Sequence, residues 1–465
     1  MYYTLSYLRA MSEERCREFT MAITQHTSFS NALILQGDWE GGLSNFALDL
    51  MDAGKKVSKV ILHASDWIYK RRGIPTMSFD APIELFEDWL RNQIKQHGID
   101  CIILYNQYRP YNLIGWNLAK ELDIECIVLE LGLLRPDFCS IFSRSCDQFD
   151  YLAQKWNAVL HEKQSLRTPD KPPQLGSMST PCKMTQFAIY YSFSRFMAVF
   201  ARRYRHYIDQ RKLDYSYHLA AGIRAALRFQ GRDRQHRYDA IFSNEWSGKY
   251  YLVPLQVHTD SQITERSNFE SMEEFIRHVV DSFEKHAPPD TKLVFKVHPM
   301  DRGYTDYHHL IESLQAKAGE HRILYLDRIH LPTALEHARA CITINSSVGL
   351  SALIHQTPVI TLGEAAYNLK GLTYHGKLDD FWTQHGTVNG KNIQNFVALL
   401  KQTSQAQGTL YQRLYAAPGR CKIAWPEQYA NRSTEHSDLM PPMLKEQPPN
   451  GACNPQVSGL TVHSP

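Results

Sequence analysis

From residue 31 onward, short apolar runs alternate with stretches whose apolar residues recur at helical spacing. Residues 31–35 (NALIL) predict a strand, a glycine-containing turn follows (Gln36-Gly37-Asp38-Trp39-Glu40-Gly41-Gly42), and 43–53 predict a helix. The same rhythm gives a strand over 56–62, a helix over 83–97 and a strand over 100–104. A helix over 113–122 and a strand over 125–129 complete the series. Strands alternating with helices of this length imply a parallel sheet covered on both faces. The alternation lapses near residue 150 and resumes at 250. There the predicted strands are 251–257, 292–297, 322–326, 340–344 and 358–362, separated by helices over 272–286, 307–318, 331–338 and 348–355. A last helix is expected over 393–403, packing back across a domain junction. The expected fold is therefore α/β, with two Rossmann-like domains facing a cleft. A first domain is drawn over 30–240, a second over 241–395, a closing helix over 396–415 and a disordered tail over 416–465.

A length of 465 residues suits two domains rather than one core. Hydrophobic residues at 43% and charged residues at 21% describe a folded globular chain, and a formal charge of +3 gives no reason to expect a nucleic-acid partner. The nine cysteines include no C-x-x-C pair, and Cys101, Cys126 and Cys341 lie in apolar runs, so buried reduced thiols are expected rather than disulfides or a metal site. The N-terminus lacks the basic segment and apolar core of a signal peptide, and no apolar run reaches the roughly 18 residues of a membrane span; a cytoplasmic protein is expected. Residues 186–237 predict a helical, aromatic and basic insertion. Between Tyr191 and Arg237 eleven Lys/Arg face three Asp/Glu. That composition admits a solvated helical face or a surface lying on anionic lipid.

Ligands of parallel α/β sheets bind at the carboxyl ends of strands. Three such ends in the second half carry candidate chemistry. The strand over 292–297, which contains Lys296, runs into His298-Pro299-Met300-Asp301-Arg302-Gly303, where an imidazole and a guanidinium suit a phosphate. The strand over 340–344 ends in Asn345-Ser346-Ser347, where hydroxyls and amides at a helix start suit an anion or an ordinary N-cap. After the strand over 251–257 come His258, Asp260 and Gln262, which suit the same cleft or a solvated loop. Walker, G-x-G-x-x-G, H-E-x-x-H and G-x-S-x-G motifs are absent, which argues against P-loop hydrolases, dehydrogenases, zinc proteases and α/β-hydrolases.

The run Val253-Pro254-Leu255-Gln256, then Asp260-Ser261-Gln262-Ile263, then Lys296-Val297-His298-Pro299-Met300-Asp301-Arg302-Gly303, resembles the capsule-polysaccharide family of KpsS and LipB. So do Thr343-Ile344-Asn345-Ser346-Ser347-Val348-Gly349, Gly363 with Tyr367 and Lys370-Gly371-Leu372-Thr373, Leu378-Asp379-Asp380-Phe381-Trp382, and Gln405 with Gly408 and Tyr411. The resemblance covers about residues 250–411. It implies a GT-B-like glycosyltransferase that takes Kdo from CMP-Kdo and places it on a phosphatidylglycerol-type lipid, starting the linker on which capsule polysaccharide is exported. It further implies a site at the cytoplasmic membrane face, a capsule assembly or export complex as partner, and no metal or other cofactor. By the same resemblance His298 and Pro299 match the segment assigned to the cytidine phosphate, Asn345, Ser346 and Ser347 the helix start beside it, and Gln256, Asp260 and Gln262 the polar run of the cleft.

In the first half, where that family shows G-D-x-R-P-x-H, this chain has Asn106-Gln107-Tyr108-Arg109-Pro110-Tyr111-Asn112; for E-[ED]-G-[YF]-x-R-P it has Glu130-Leu131-Gly132-Leu133-Leu134-Arg135-Pro136. Retention by double displacement needs a carboxylate nucleophile and an acid/base. Glu130, at a predicted strand end, is the candidate, with Asp137 and Asp38 in reserve; an ion pair with Arg135 or Arg109 is its alternative role. Arg109, Arg135 and Lys296 are candidate contacts for a sugar carboxylate, and Asp137 for sugar or acceptor. The changes at Gln107, Asn112 and Leu131 keep two other readings open. One is a transferase using CMP-sialic acid or a UDP-sugar, and the other a non-catalytic assembly factor.

Overall fold

The computed structural model describes residues 29–35, 42–67, 72–135, 138–143, 148–162, 166, 202–208, 232–301, 303–318, 322–408 and 420. It also describes single positions among 189–200 and residue 224. The predicted tail at 416–465, apart from residue 420, falls outside them, as do Asp38, Asp137 and Arg302.

The first sheet holds β1 (Asn31–Ile34), β2 (Lys56–Ile61), β3 (Thr76–Ser78), β4 (Cys101–Tyr105), β5 (Glu125–Leu131), β6 (Phe138–Ser143) and β12 (Gln405–Gln407), in the order β12-β6-β5-β4-β1-β2-β3. From β3 to β5 the strands are parallel and follow the doubly wound order, which reverses direction between β1 and β4. Every residue of β4 (CIILY) is buried, which is why a parallel interior strand reads as one apolar run. The wholly parallel sheet expected from the alternation needs one correction. β6 and β12 pair antiparallel at one edge. β6 returns directly from β5 through Gly132, where a Cβ would lie 2.6 Å from the Phe138 backbone.

Helix α1 (Gly42–Asp52) covers one face of this sheet; α2 (Phe86–His97) and α3 (Pro110–Glu121) cover the other. Helix α2 buries Phe86, Leu90 and Ile94 at successive fourth positions and ends at Gly98, whose φ of 60° continues no helix. In α3, Pro110 fills the first turn, where its missing N–H leaves no intrahelical bond unmade.

The second sheet contains β7 (Tyr250–Pro254), β8 (Lys292–Lys296), β9 (Ile323–Leu326), β10 (Ala340–Thr343) and β11 (Val359–Thr361), all parallel, in the order β11-β10-β7-β8-β9. Here the order reverses between β7 and β10. Helices α7 (Met272–His286), α8 (His308–Ala318) and α11 (Leu378–Gln384) cover one face. Helices α5 (Arg232–Ser243), α9 (Leu331–Glu336) and α10 (Ser347–Ile354) lie on the other. The Ser271 side chain caps α7 by accepting from Glu274 N, and the helix buries a stripe from Met272 to Phe283.

The domain junction drawn at 240/241 is crossed by packing. In α4 (Gln148–Glu162), Leu152, Trp156 and Val159 join the core of the second sheet, as does Phe242 of α5. Trp156 Nε1 donates to the Lys370 carbonyl at 3.0 Å. α12 (Gly390–Thr403) packs against α4 and leads into β12, so the closing segment returns to the first sheet as a strand as well as a helix.

Candidate active site

Side chains that follow strands of the two sheets meet across a gap. Arg266, just after the short helix α6 (Ser261–Glu265) of the second domain, donates through Nε to the Tyr108 hydroxyl of the first at 3.0 Å. Its guanidinium also lies 4.1 Å from the centre of the Phe149 ring. Arg135 Nε donates to Ser347 Oγ at 3.3 Å.

Glu130, near the end of β5, is close enough to this gap that the charges of Arg266 and Asp260 act on its carboxyl. Its Oε1 is shielded from water and has no hydrogen-bond partner. Burial pushes its carboxyl up to about 7 from 4.5, against the opposing pull of the Gln107 backbone N–H and the Arg266 charge, with the Asp260 charge adding to the rise. A carboxyl poised near neutrality in a cleft is an acid–base or nucleophile candidate. The alternative pairing with Arg109 or Arg135 is not formed. Arg109 lies over the Tyr105 ring at 5.1 Å, and Arg135 reaches Ser347. Leu131, where the family has an acid, is exposed.

The loop behind Glu130 is built by residues far away in sequence. Buried Gln405 accepts from Leu133 N at 2.8 Å and from Leu134 N at 3.3 Å, and donates to Ser140 Oγ at 2.7 Å. Asn112 is fully buried and donates to the carbonyls of Tyr105 and Asn106 at 2.8 Å each. It thereby holds the tight β4–α3 turn in which Asn106 adopts a φ of 63°.

At the reversal point of the second sheet, Gln256 Nε2 donates to Asn345 Oδ1 at 3.0 Å and to Asp260 Oδ2 at 3.1 Å. Asn345 N donates back to Gln256 Oε1 at 3.3 Å, and Asn345 Nδ2 to the Gln262 carbonyl at 2.8 Å. The Asp260 side chain also caps α6 by accepting from Gln262 N. These amides and this carboxylate therefore lock the ends of β7 and β10 together. Ser346 caps α10 by accepting from Val348 N, the capping role left open by the sequence. Tyr367 comes up beneath it, donating to the Ser346 carbonyl, and only glycine at 349 leaves room, since a Cβ there would lie 2.2 Å from the tyrosine oxygen.

His298 follows β8. Met300 N donates to its Nδ1 at 3.1 Å, which fixes the ring in the turn and leaves Nε2 as the nitrogen for a donor role. Pro299 opens the short 3-10 turn Pro299–Asp301 and is exposed. Lys296 is buried, its ammonium donating to the Val297 carbonyl at 3.0 Å.

The model of the capsule polysaccharide biosynthesis protein family matches residues 100–411. The chain belongs to this family. It is 32% identical over 395 residues to the capsule polysaccharide export protein KpsS of Escherichia coli, covering 84% of this chain and 99% of that protein. It is 31% identical over 401 residues to the capsule polysaccharide modification protein LipB of Neisseria meningitidis serogroup A, covering 83% and 93%. Among solved structures, KpsC of Thermosulfurimonas dismutans, a β-Kdo 2,7 transferase, aligns with a TM-score of 0.38 at 13% identity, covering 81% of this chain and 92% of that one.

Within this capsule-family chain, part of the resemblance read from sequence is structural. Asp379 accepts from Ser282 Oγ at 2.6 Å and Trp382 Nε1 donates to the same hydroxyl at 2.8 Å, fastening α11 to α7. Two features escaped sequence reasoning. One is Arg266. The other is the pair His258–Asp301, with His258 Nδ1 2.5 Å from a carboxylate oxygen of Asp301; that aspartate is buried and also takes Thr305 Oγ1 at 2.7 Å. A histidine and an aspartate after adjacent strands were the available signal for the pair.

Proposed function

We propose that this protein is a capsule-polysaccharide glycosyltransferase that moves Kdo from CMP-Kdo to a phosphatidylglycerol-type lipid at the cytoplasmic face of the membrane, starting the linker used for polysaccharide export. The observation that carries the reading is Glu130, a shielded carboxyl with one unpartnered oxygen, on which Arg266 and Asp260 of the second domain act. Nucleotides bind Rossmann-order sheets at their reversal points, and Tyr108, after β4 at the first sheet's reversal, meets Arg266 of the second domain.

In the proposed reaction the ionised Glu130 attacks the anomeric carbon of Kdo. The bond from that carbon to the phosphate oxygen breaks, and CMP departs with the electron pair. His298 Nε2–H and the amides at the start of α10, where Ser346 and Ser347 sit, suit the phosphate. Pro299 shapes the His298 turn, while Gln256, Asp260, Gln262 and Asn345 hold the cleft wall in place. The acceptor hydroxyl then displaces Glu130, its proton passing to a base in the gap, and the configuration is retained.

Lipid contact rests on a different observation. Ile189, Phe193, Phe196 and Phe200 are exposed and helical at a spacing that makes one stripe, followed by exposed Arg202, Arg203 and Arg205. An apolar face beside cations suits an anionic lipid surface. No helix among the described residues is long and apolar enough to cross a membrane.

Thermal-shift measurements with CMP, UDP and GDP, followed by incubation with CMP-Kdo and lysophosphatidylglycerol, test the reading. Stabilisation by CMP and a Kdo-lipid product detected by mass spectrometry are expected. Stabilisation by UDP alone contradicts the donor. CMP binding without turnover on any lipid marks a non-catalytic assembly factor, the reading that Leu131 favours.

A further inference from the structure

The donor proposed above is a 2-keto sugar acid, whose carboxylate is bonded directly to the anomeric carbon. Whatever cation receives that carboxylate must therefore stand beside the group that attacks the anomeric carbon. Three cations suggested by the sequence are engaged elsewhere: Arg109 over the Tyr105 ring, Arg135 on Ser347 and Lys296 on the Val297 carbonyl. Arg266 is the cation whose charge acts on Glu130.

Its setting is that of a carboxylate receptor. Tyr108 takes Nε, and the Phe149 ring lies against the guanidinium face, so the planar group is held at its edge and its face. The side chain is 18% exposed. Nη1 already meets a carboxylate, Glu364 Oε2 at 3.1 Å, and Nη2 has no hydrogen-bond partner among the described residues. The Glu364 side chain is 70% exposed, so this pair is weak and displaceable. The backbone beneath is pinned, with Glu364 N donating to the Arg266 carbonyl at 2.8 Å and Ser267 bridging to Gly363.

We infer that Arg266 is the specificity-determining residue for an acidic sugar, its Nη1 and Nη2 gripping the donor carboxylate as a fork once Glu364 is displaced. This rests on the transferase reading of the same gap. It also gives the interdomain contact a purpose, because the anion is held by an arginine that Tyr108 and Phe149 of the first half of the chain keep in place.

Calorimetric titration of CMP and of CMP-Kdo into the wild type, Arg266→Met and Glu364→Gln tests it. CMP-Kdo should bind Arg266→Met about 10- to 100-fold more weakly than the wild type, the range of a lost charge-assisted hydrogen bond, while CMP affinity stays within about twofold. Glu364→Gln, which leaves the guanidinium in place, should bind CMP-Kdo more tightly and CMP unchanged, and it serves if Arg266→Met does not fold. Equal loss of both ligands in Arg266→Met, or no loss of either, overturns the inference and leaves the transferase reading standing. No tightening in Glu364→Gln counts against it in the same way. A wild type that binds CMP but gains nothing from the sugar overturns the donor reading and the inference together.

Discussion

Gln256 and Asn345, 89 residues apart in the chain, hydrogen-bond each other twice, side chain to side chain at 3.0 Å and backbone N–H to side chain at 3.3 Å. They join the ends of β7 and β10 where the second sheet reverses its order, so the geometry of the second domain's end of the cleft depends on an amide pair. Removing either side chain breaks the amide–amide bond, and Gln256→Ala also takes the acceptor from Asn345 N, while the remaining bonds to Asp260 and the Gln262 carbonyl persist. Asn345→Ala and Gln256→Ala should each cost about 1–3 kcal/mol, and the double variant less than the sum. Thermal or denaturant unfolding of the three proteins checks this; strict additivity would mean that the pair is not coupled.

A donor role for His298 makes a separate claim. His298→Ala should raise the KM for the nucleotide sugar about 10- to 100-fold. His298→Asn retains an N–H donor and should recover part of the loss. If Asn is as poor as Ala, while a cationic Lys restores activity, the ring acts as a charge rather than a donor.

Glu130 has a stability consequence independent of activity. Its folded-state pKa of about 7 lies above the ordinary 4.5. Below about pH 4.5 burial therefore carries no ionisation cost. Stability falls as pH rises from there to about 7, and above that the full cost, roughly 3 kcal/mol at most, is present. Glu130→Gln removes the ionisation, so its Tm should exceed that of the wild type at pH 8 by several degrees and by much less at pH 5. Equal differences at the two pH values would place the carboxyl in water.

Phe196 and Phe200, 4.8 Å apart between ring centres, are both exposed, and replacing them with serine should leave Tm unchanged. Sedimentation with vesicles containing phosphatidylglycerol should fall in the double variant. Retention indifferent to these residues and to lipid charge would remove the lipid surface from the account.

The alternating architecture was legible because buried parallel strands such as β4 are unbroken apolar words, and because α2 and α7 announce their buried stripes by spacing and their ends by Gly98 and Ser271. β12 was not legible. Its three residues, Gln-Ala-Gln, read as loop, and only the tertiary fold buries Ala406 and gives Gln405 its partners. The same holds for α4, a helix the alternation did not announce, whose place in the second core depends on contacts with α12. Of the candidate site, His298 and Asn345 followed from the rule that α/β sheets bind ligands at carboxyl ends, and Gln256 from the family resemblance. Arg266 had no such signal, since its position follows from Tyr108 and Phe149, more than a hundred residues earlier in the chain. Sequence likewise placed Glu130 at a strand end but gave no measure of its shielding.

The pH dependence of Kdo transfer from CMP-Kdo to lysophosphatidylglycerol, measured as kcat/KM for the wild type and Glu130→Gln, tests the central claim most directly. Transfer by the wild type should rise with pH through about 7, as Glu130 becomes ionised, and Glu130→Gln should make no Kdo-lipid at any pH. A Gln variant that transfers Kdo at the wild-type rate, or a wild-type profile flat across pH 6 to 8, would contradict a catalytic carboxyl at this position.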